Sequence, residues 1–158
     1  MEDAERRVLY FGFCREANTE KLLRAVRRRC GETPIGHVVV ASETGRSALR
    51  ALELLDGAGV RLVVVTHHPA TTWGPRGKIP IGLRREEYSD ALRGLEEGGA
   101  RIVQGTRPFA PPTRSIGWDF PTPEGVVDKT LEVFGAGTKI AIEVAIMPRM
   151  PGRWRGAR

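Results

Sequence analysis

Apolar residues fall along this chain in short continuous runs, and amphipathic stretches separate them. Val8 to Phe11 is the first run and predicts a short buried strand. A helix is expected from about Asn18 or Thr19, either of which suits a cap. Leu22, Leu23, Val26 and Cys30 form its stripe, and Gly31 is its stop. His37 to Ala41 predicts a second strand. The helix after it carries Ala48, Leu49, Leu52 and Leu55 and ends at Gly57. Arg61 to Thr66 predicts a third strand, whose Leu62-Val63-Val64-Val65 is continuously apolar, as in a parallel strand covered on both faces.

Residues 67–83 read as a long loop. Arg84 to Glu97 reads as a helix with Tyr88, Ala91, Leu92 and Leu95 at i, i+3, i+4 and i+7. Arg101 to Gln104 predicts a fourth strand, followed by a second long loop over 105–121 that holds four of the eleven prolines. Thr122 then caps a helix with Pro123 at its first position, burying Val127, Leu131 and Phe134 and ending at Gly135. Thr138 to Met147 alternates Ile140, Ile142, Val144 and Ile146 with smaller or polar residues and predicts a last strand. Strands and helices thus alternate almost strictly. The expected fold is a single α/β domain, a doubly wound, largely parallel sheet of about five strands with helices on both faces. Ligands in such sheets gather beyond the carboxyl ends of the strands.

The 158 residues suit one domain. No apolar run approaches the ~18 residues of a membrane span. The polar start Met1-Glu2-Asp3-Ala4-Glu5-Arg6-Arg7 is unlike a secretion signal, so a cytoplasmic location is expected. Cys14 and Cys30 are too few for a disulfide scaffold and have no metal spacing; Cys30 reads as a buried thiol. The net charge of +6 invites a nucleic-acid reading. However, residues 148–158 hold four arginines and no acid, and without them 21 basic residues face 19 acidic ones. The body is nearly neutral, so nucleic acid ranks last among the partners considered.

The densest candidate chemistry lies where Val38-Val39-Val40-Ala41 turns into a helix through Ser42-Glu43-Thr44-Gly45-Arg46-Ser47. The start of a helix leaves backbone N–H groups unpaired and favours an anion. Ser42, Thr44 and Ser47 add hydroxyls, Gly45 admits close approach, and Arg46 suits a phosphate. A plain N-cap by Ser42 or Thr44 is the competing reading. On the phosphate reading, Gly45→Val abolishes binding with modest loss of fold. Thr66, His67 and His68 end the neighbouring strand and are candidates for contact with the rest of a ligand. Arg114 and Ser115 lie in a carboxyl-end loop. Trp73 and Trp118 suit ring stacking or loop anchoring. Glu143, among apolar neighbours, needs a partner such as Lys139 or an arginine, and general-base work is a further role for it.

Taken in order, these pieces resemble the stand-alone prokaryotic proteins related to the C-terminal domain of pyruvate kinase. The matching residues are Tyr10-Phe11 with Asn18-Thr19; Val39-Val40-Ala41-Ser42 with Thr44-Gly45; Val64-Val65-Thr66-His67-His68; Arg114-Ser115-Ile116; Phe134-Gly135 with Gly137 and Lys139; and Glu143 with Met147. The resemblance covers about residues 8 to 147. It implies a phosphorylated ligand at Ser42–Ser47, flavin mononucleotide being the cofactor associated with those relatives, with Asn18, Thr19, Thr66, His67 and His68 on the remainder. It does not imply pyruvate kinase activity. The reaction of the relatives is not established, and no metal is implied.

This chain departs from the family pattern in places. Phe13-Cys14-Arg15 stands where the family carries Lys-Pro-Gly, and Pro69-Ala70 follows the His pair in place of Gly-Phe. After Met147 the relatives continue with Ala-Ala-Asp-Ala-Gly and a further strand, whereas this chain ends in an Arg/Gly/Pro/Trp segment over 148–158. That arginine-rich tail reads as a frameshift product, so the sheet is expected to lack its last strand region, and the exposed edge invites a homo-oligomer. Two functional classes stand ahead of nucleic-acid binding: a flavin-dependent oxidoreductase, and a non-catalytic ligand-sensing or regulatory module.

Overall fold

A computed structural model describes residues 8–13, 15–74, 77–109 and 122–149. Three parallel strands form the sheet: β1 (His37–Ala41), β2 (Arg61–Thr66) and β5 (Arg101–Gln104), in the order β1-β2-β5. Val39 lies opposite Val63, and Val64 opposite Ile102. The Ser42 N–H donates to the Val65 carbonyl and the Gly105 N–H to the Thr66 carbonyl, so both ladders continue one step past the strands.

Alternation along the strands separates two cores. Leu62 and Val64, with Val38, Val40 and Ile102, face α1 (Ala17–Glu32), α2 (Arg46–Leu55) and α3 (Ser89–Glu97). Leu23, Ala48, Ala51, Leu55 and Leu95 fill that side. Val63, Val65 and Val103, with Val39, face the other way, onto Val144 and Met147. Those two belong to α5 (Ala136–Ile146) and the short 3-10 turn Met147–Arg149. α4 (Pro123–Glu132) packs against α5. Helices therefore cover both faces, as expected. Among the described residues the parallel sheet has three strands, not about five.

Several expectations are corrected. Val8 to Phe11 is not a strand; it pairs with no strand among the described residues, and Tyr10 is 88% exposed. A four-residue apolar run becomes a strand only when an edge accepts it. Residues 67–83 are not a plain loop, because β3 (Ala70–Gly74) and β4 (Gly77–Ile81) form an antiparallel hairpin. Pro80, opposite Thr71, disguises β4 in the sequence; a two-stranded ribbon tolerates the missing N–H. The helix expected from Arg84 begins later, with a 3-10 turn over Glu86–Tyr88 ahead of α3.

The last strand is instead α5. Its buried residues are Lys139 and Glu143, and Met147 follows at the same spacing, so the stripe is helical although the isoleucines alternate. In α4 the Thr122 cap and Pro123 start hold, with the Thr122 hydroxyl accepting from the Gly125 N–H. Its expected apolar face does not hold: Val127 and Phe134 are exposed, and Asp128 is buried instead. α1 begins at Ala17 and runs past Gly31 to Glu32, and its Cys30 is buried. Cys14, Arg114, Ser115, Trp118 and the tail from residue 150 lie outside the described residues, as does the Trp73 side chain. No helix among the described residues is long and apolar enough to cross a membrane.

Candidate functional site

The strands β1 and β2 run in register with an offset that places Ala41 beside Val65. Two residues further on, the same offset brings Glu43 beside His67. Glu43 Oε1 lies 2.5 Å from His67 Nδ1. Glu43 Oε2 accepts from the Thr66 hydroxyl at 3.0 Å and from the His67 backbone N–H at 3.1 Å. The Thr66 hydroxyl in turn accepts from the Leu83 N–H at 2.9 Å, tying the network to the base of the hairpin. Every one of these groups sits at the carboxyl end of the parallel sheet.

Electrostatics follow from that geometry. A carboxylate only accepts, so His67 Nδ1 carries the proton of this bond and the neutral ring keeps its lone pair on Nε2. The hydrogen bond to Glu43 holds the His67 pKa above its ordinary value, against an opposing effect of burial. Burial pushes Glu43 up, but its bonds from the His67 ring and backbone and from Thr66 prevail, leaving it below the usual carboxylate range.

A small pocket of about 240 Å³ opens beside this pair. Thr66, His67 and Glu43 form one wall, Arg107 another, and the α5 residues Ile140, Glu143 and Val144 close it with Met147. Glu143 is fully buried, and its carboxyl group has the Phe109 backbone and the Arg107 guanidinium beside it. Arg107 Nε stands 3.3 Å from Glu143 Oε2 as an ion-pair contact, while Arg107 Nη2 holds Asp128 Oδ1 at 3.3 Å. Burial raises the Glu143 pKa, and the Arg107 charge only partly opposes it. Lys139 is not its hydrogen-bond partner. Lys139 Nζ donates to Asp128 at 3.0 Å and to Glu132 at 2.7 Å.

The turn Ser42–Ser47 opens onto a broader groove of about 1140 Å³ beside the first turn of α1. Neither Ser42 nor Thr44 is the N-cap of α2; that position is Gly45, which has no side chain to cap the first turn. Ser47 Oγ donates instead to Ser42 Oγ at 3.1 Å. Arg46 is 78% exposed and pairs with Glu16 at 3.0 Å. Thr19 lines the same groove. Asn18 Nδ2 donates to the Phe13 carbonyl at 2.6 Å and so holds its own loop.

Gly45 also has a packing role. Its φ is 83°, and a Cβ there would stand 2.6 Å from the Ala91 Cβ and 3.0 Å from Leu83 Cδ1. The glycine thus serves close packing of α2 on α3, and Gly45→Val is a fold mutation before it is a binding mutation.

The structure therefore brings Thr19, Ser42, Thr44, Arg46 and Ser47 to one groove and Thr66 and His67 to the adjoining pocket. His68 is exposed and lines neither. Sequence reasoning passed over Glu43 and Arg107. Glu43 was legible in principle, because a parallel register pairs the ends of neighbouring strands. Arg107 had no such signal. Among the described residues no group of three or more His, Cys, Asp or Glu side chains is arranged to hold a metal ion. No protein-family model matches the chain.

Proposed function

We propose that the carboxyl end of the parallel sheet binds a phosphorylated small molecule, with flavin mononucleotide as the ligand that the family resemblance suggests. The observation that carries this reading is that the groove and the pocket lie at the same end of the sheet and share Ala41 and Glu43 in their walls. On this reading a ligand sets its phosphate at the start of α2 and extends over Glu43 toward the pocket. The pocket is smaller than the ~300–1,000 Å³ of sites that enclose a drug-sized ligand, so it takes one end of a nucleotide and leaves the rest in the groove.

The surface pair of Arg46 with Glu16 favours exchange. Exposed ion pairs contribute about 0–1 kcal/mol, so a dianionic phosphate displaces the Glu16 carboxylate at little cost. The helix dipole adds about 0.3–1 kcal/mol at an exposed start. Arg107 and the protonated form of His67 supply positive charge on the pocket side. Flavin itself supplies hydride and electron chemistry when bound. This chain would orient it and exclude water on the Val65, Val144 and Met147 side.

Titrating flavin mononucleotide by flavin fluorescence, with riboflavin as the control lacking phosphate, tests the reading. Preferential binding of the phosphorylated form, weakened several-fold by Arg46→Ala, is the expected outcome. Equal affinity for the two flavins removes the phosphate site. Binding of neither removes flavin as the ligand. Reduction and reoxidation of the bound flavin then separates an oxidoreductase from a ligand-sensing module.

A further inference from the structure

The pocket holds two ionisable groups that packing alone does not require. His67 is held through Nδ1 by a carboxylate that is itself fixed by two further hydrogen bonds, and its Nε2 has no partner among the described residues. Glu143 is fully buried with the Arg107 guanidinium 3.3 Å from Oε2 and the Phe109 backbone beside its carboxyl group, and it lines the same pocket. A carboxyl group buried beside a histidine in a pocket wall is the kind of ionisable group that functional sites collect.

We propose that this pocket is a proton-transfer site, with His67 as general base positioned by Glu43 and Glu143 as general acid. Its substrate is a small molecule with an acidic C–H beside a carbonyl. The inference rests on the pocket admitting a small molecule and not on the phosphate site at Ser42–Ser47.

The chemistry balances without an oxidant or co-reactant. Neutral His67 Nε2 takes the proton from the substrate carbon, and the C–H electron pair forms a carbon–carbon double bond. The carbonyl oxygen, receiving the displaced π pair, takes the Glu143 proton. The products of this step are an enol, an imidazolium and a carboxylate. Returning a proton from His67 to the carbon and the other from the enol oxygen to Glu143 restores the carbonyl compound, so the balanced outcome is exchange of that C–H with solvent. Glu43 is a positioning residue: it keeps the proton on Nδ1, which leaves Nε2 basic.

The surrounding charges suit these roles. Glu43, Arg107 and Glu143 act on His67, and Arg107, Asp128 and Lys139 act on Glu143. Glu43 makes His67 a stronger base, and burial keeps Glu143 protonated to higher pH than an exposed carboxyl group.

The test uses the full chain, free of flavin, with 5-nitrobenzisoxazole as the probe. A base removes its ring C–H proton, the electron pair forms a nitrile, and the N–O bond breaks to release a coloured phenolate. The rate is expected to rise with pH through the His67 titration, which histidine ring NMR follows independently. His67→Ala should lower it at least tenfold. Glu43→Gln should move the pH midpoint downward and lower the plateau, whereas a merely structural role for Glu43 would leave the midpoint in place. Glu143→Gln should lower the rate severalfold. His37→Ala, at the opposite end of β1, should leave it unchanged.

The proposal is overturned if the folded His67→Ala variant reacts as fast as the natural chain, or if the natural chain is no faster than free imidazole at equal concentration. Should His67→Ala fail to fold, a mismatch between the rate midpoint and the NMR titration of His67 overturns it equally. Flavin affinity has no part in these readouts, so failure of the flavin reading leaves them standing, and the reverse holds.

Discussion

Between α1 and β5 the interior is mostly apolar: Leu62, Val64, Leu83, Leu95, Ala48 and Ala51 are buried together, with Ser42 and Thr66 as its buried polar residues. In the α4–α5 pair the interior side holds Asp128, Lys139 and Glu143, while Val126, Val133 and Phe134 face solvent. One region is held by removal of hydrocarbon from water, which stabilises by roughly 25 cal/mol per Å² without demanding geometry. The other is held by hydrogen-bonded charges, whose desolvation offsets much of their attraction. The candidate site lies where the two meet, with an apolar sheet face on one side and a buried carboxyl group on the other. That junction combines rigid placement with the low polarisability that shifts ionisation, which neither region supplies alone.

Substitutions in the two regions should therefore differ in size. Gly45→Val forces a β-branched residue into a left-handed backbone and into Ala91, and should destabilise by about 3–5 kcal/mol in urea unfolding. Leu95→Ala should cost about 2–4 kcal/mol, whereas Phe134→Ala should change stability by less than about 0.5 kcal/mol. Equal effects at Leu95 and Phe134 would break the comparison.

The charged region gives a subtler pattern. Lys139→Met alone strands the half-served Asp128 and should destabilise by about 2–3 kcal/mol. Adding Asp128→Leu should restore part of it, since the stranded carboxylate is gone while Arg107 and Glu132 each still lack one contact. Glu143→Gln should melt at a temperature that falls less between acid and mildly alkaline pH than that of the natural chain. The folded carboxyl group holds its proton more tightly than the unfolded one, so the natural chain loses stability as pH rises above about 4.5, and the variant escapes that loss.

The His67–Glu43 pair has the smallest effect on stability, because both side chains are partly exposed and solvent screens them. His67, with its raised pKa, contributes fully below about 6.5 and loses that contribution as pH rises through its folded value. Glu43, with its lowered pKa, contributes above about 4.5 and loses it as pH falls through its folded value. Glu43→Gln should flatten both limbs, by about 0.5–1 kcal/mol, in urea melts recorded across pH.

Strands such as Arg61–Thr66 were legible in the sequence because a continuously apolar run bounded by turns has few other homes. The Thr122–Pro123 helix start was legible because capping is local chemistry. α5 was misread for the opposite reason. Ile140, Ile142 and Val144 alternate as a strand does, yet the buried positions are Lys139, Glu143 and Met147, at helical spacing, with Val144 partly buried beside them. Their charges met partners that no local pattern announces. The site was half legible: the turn and the Thr66-His67 end stood out, but Glu43 was passed over within the turn itself, and Arg107 was not singled out.

The sequence by itself determined where the sheet's apolar runs sit, where the Thr122–Pro123 helix begins, and that the body carries little net charge, since each depends on residues close along the chain. Tertiary structure alone decided that Glu43 meets His67, that Arg107 stands beside Glu143, and that Gly45 serves helix packing. These are contacts between residues 24 to 46 positions apart, set by strand register and by how α3 and α5 settle on the sheet. Hydrophobicity is a property of each residue and shows in order along the chain; the partner of a charge is a property of the fold.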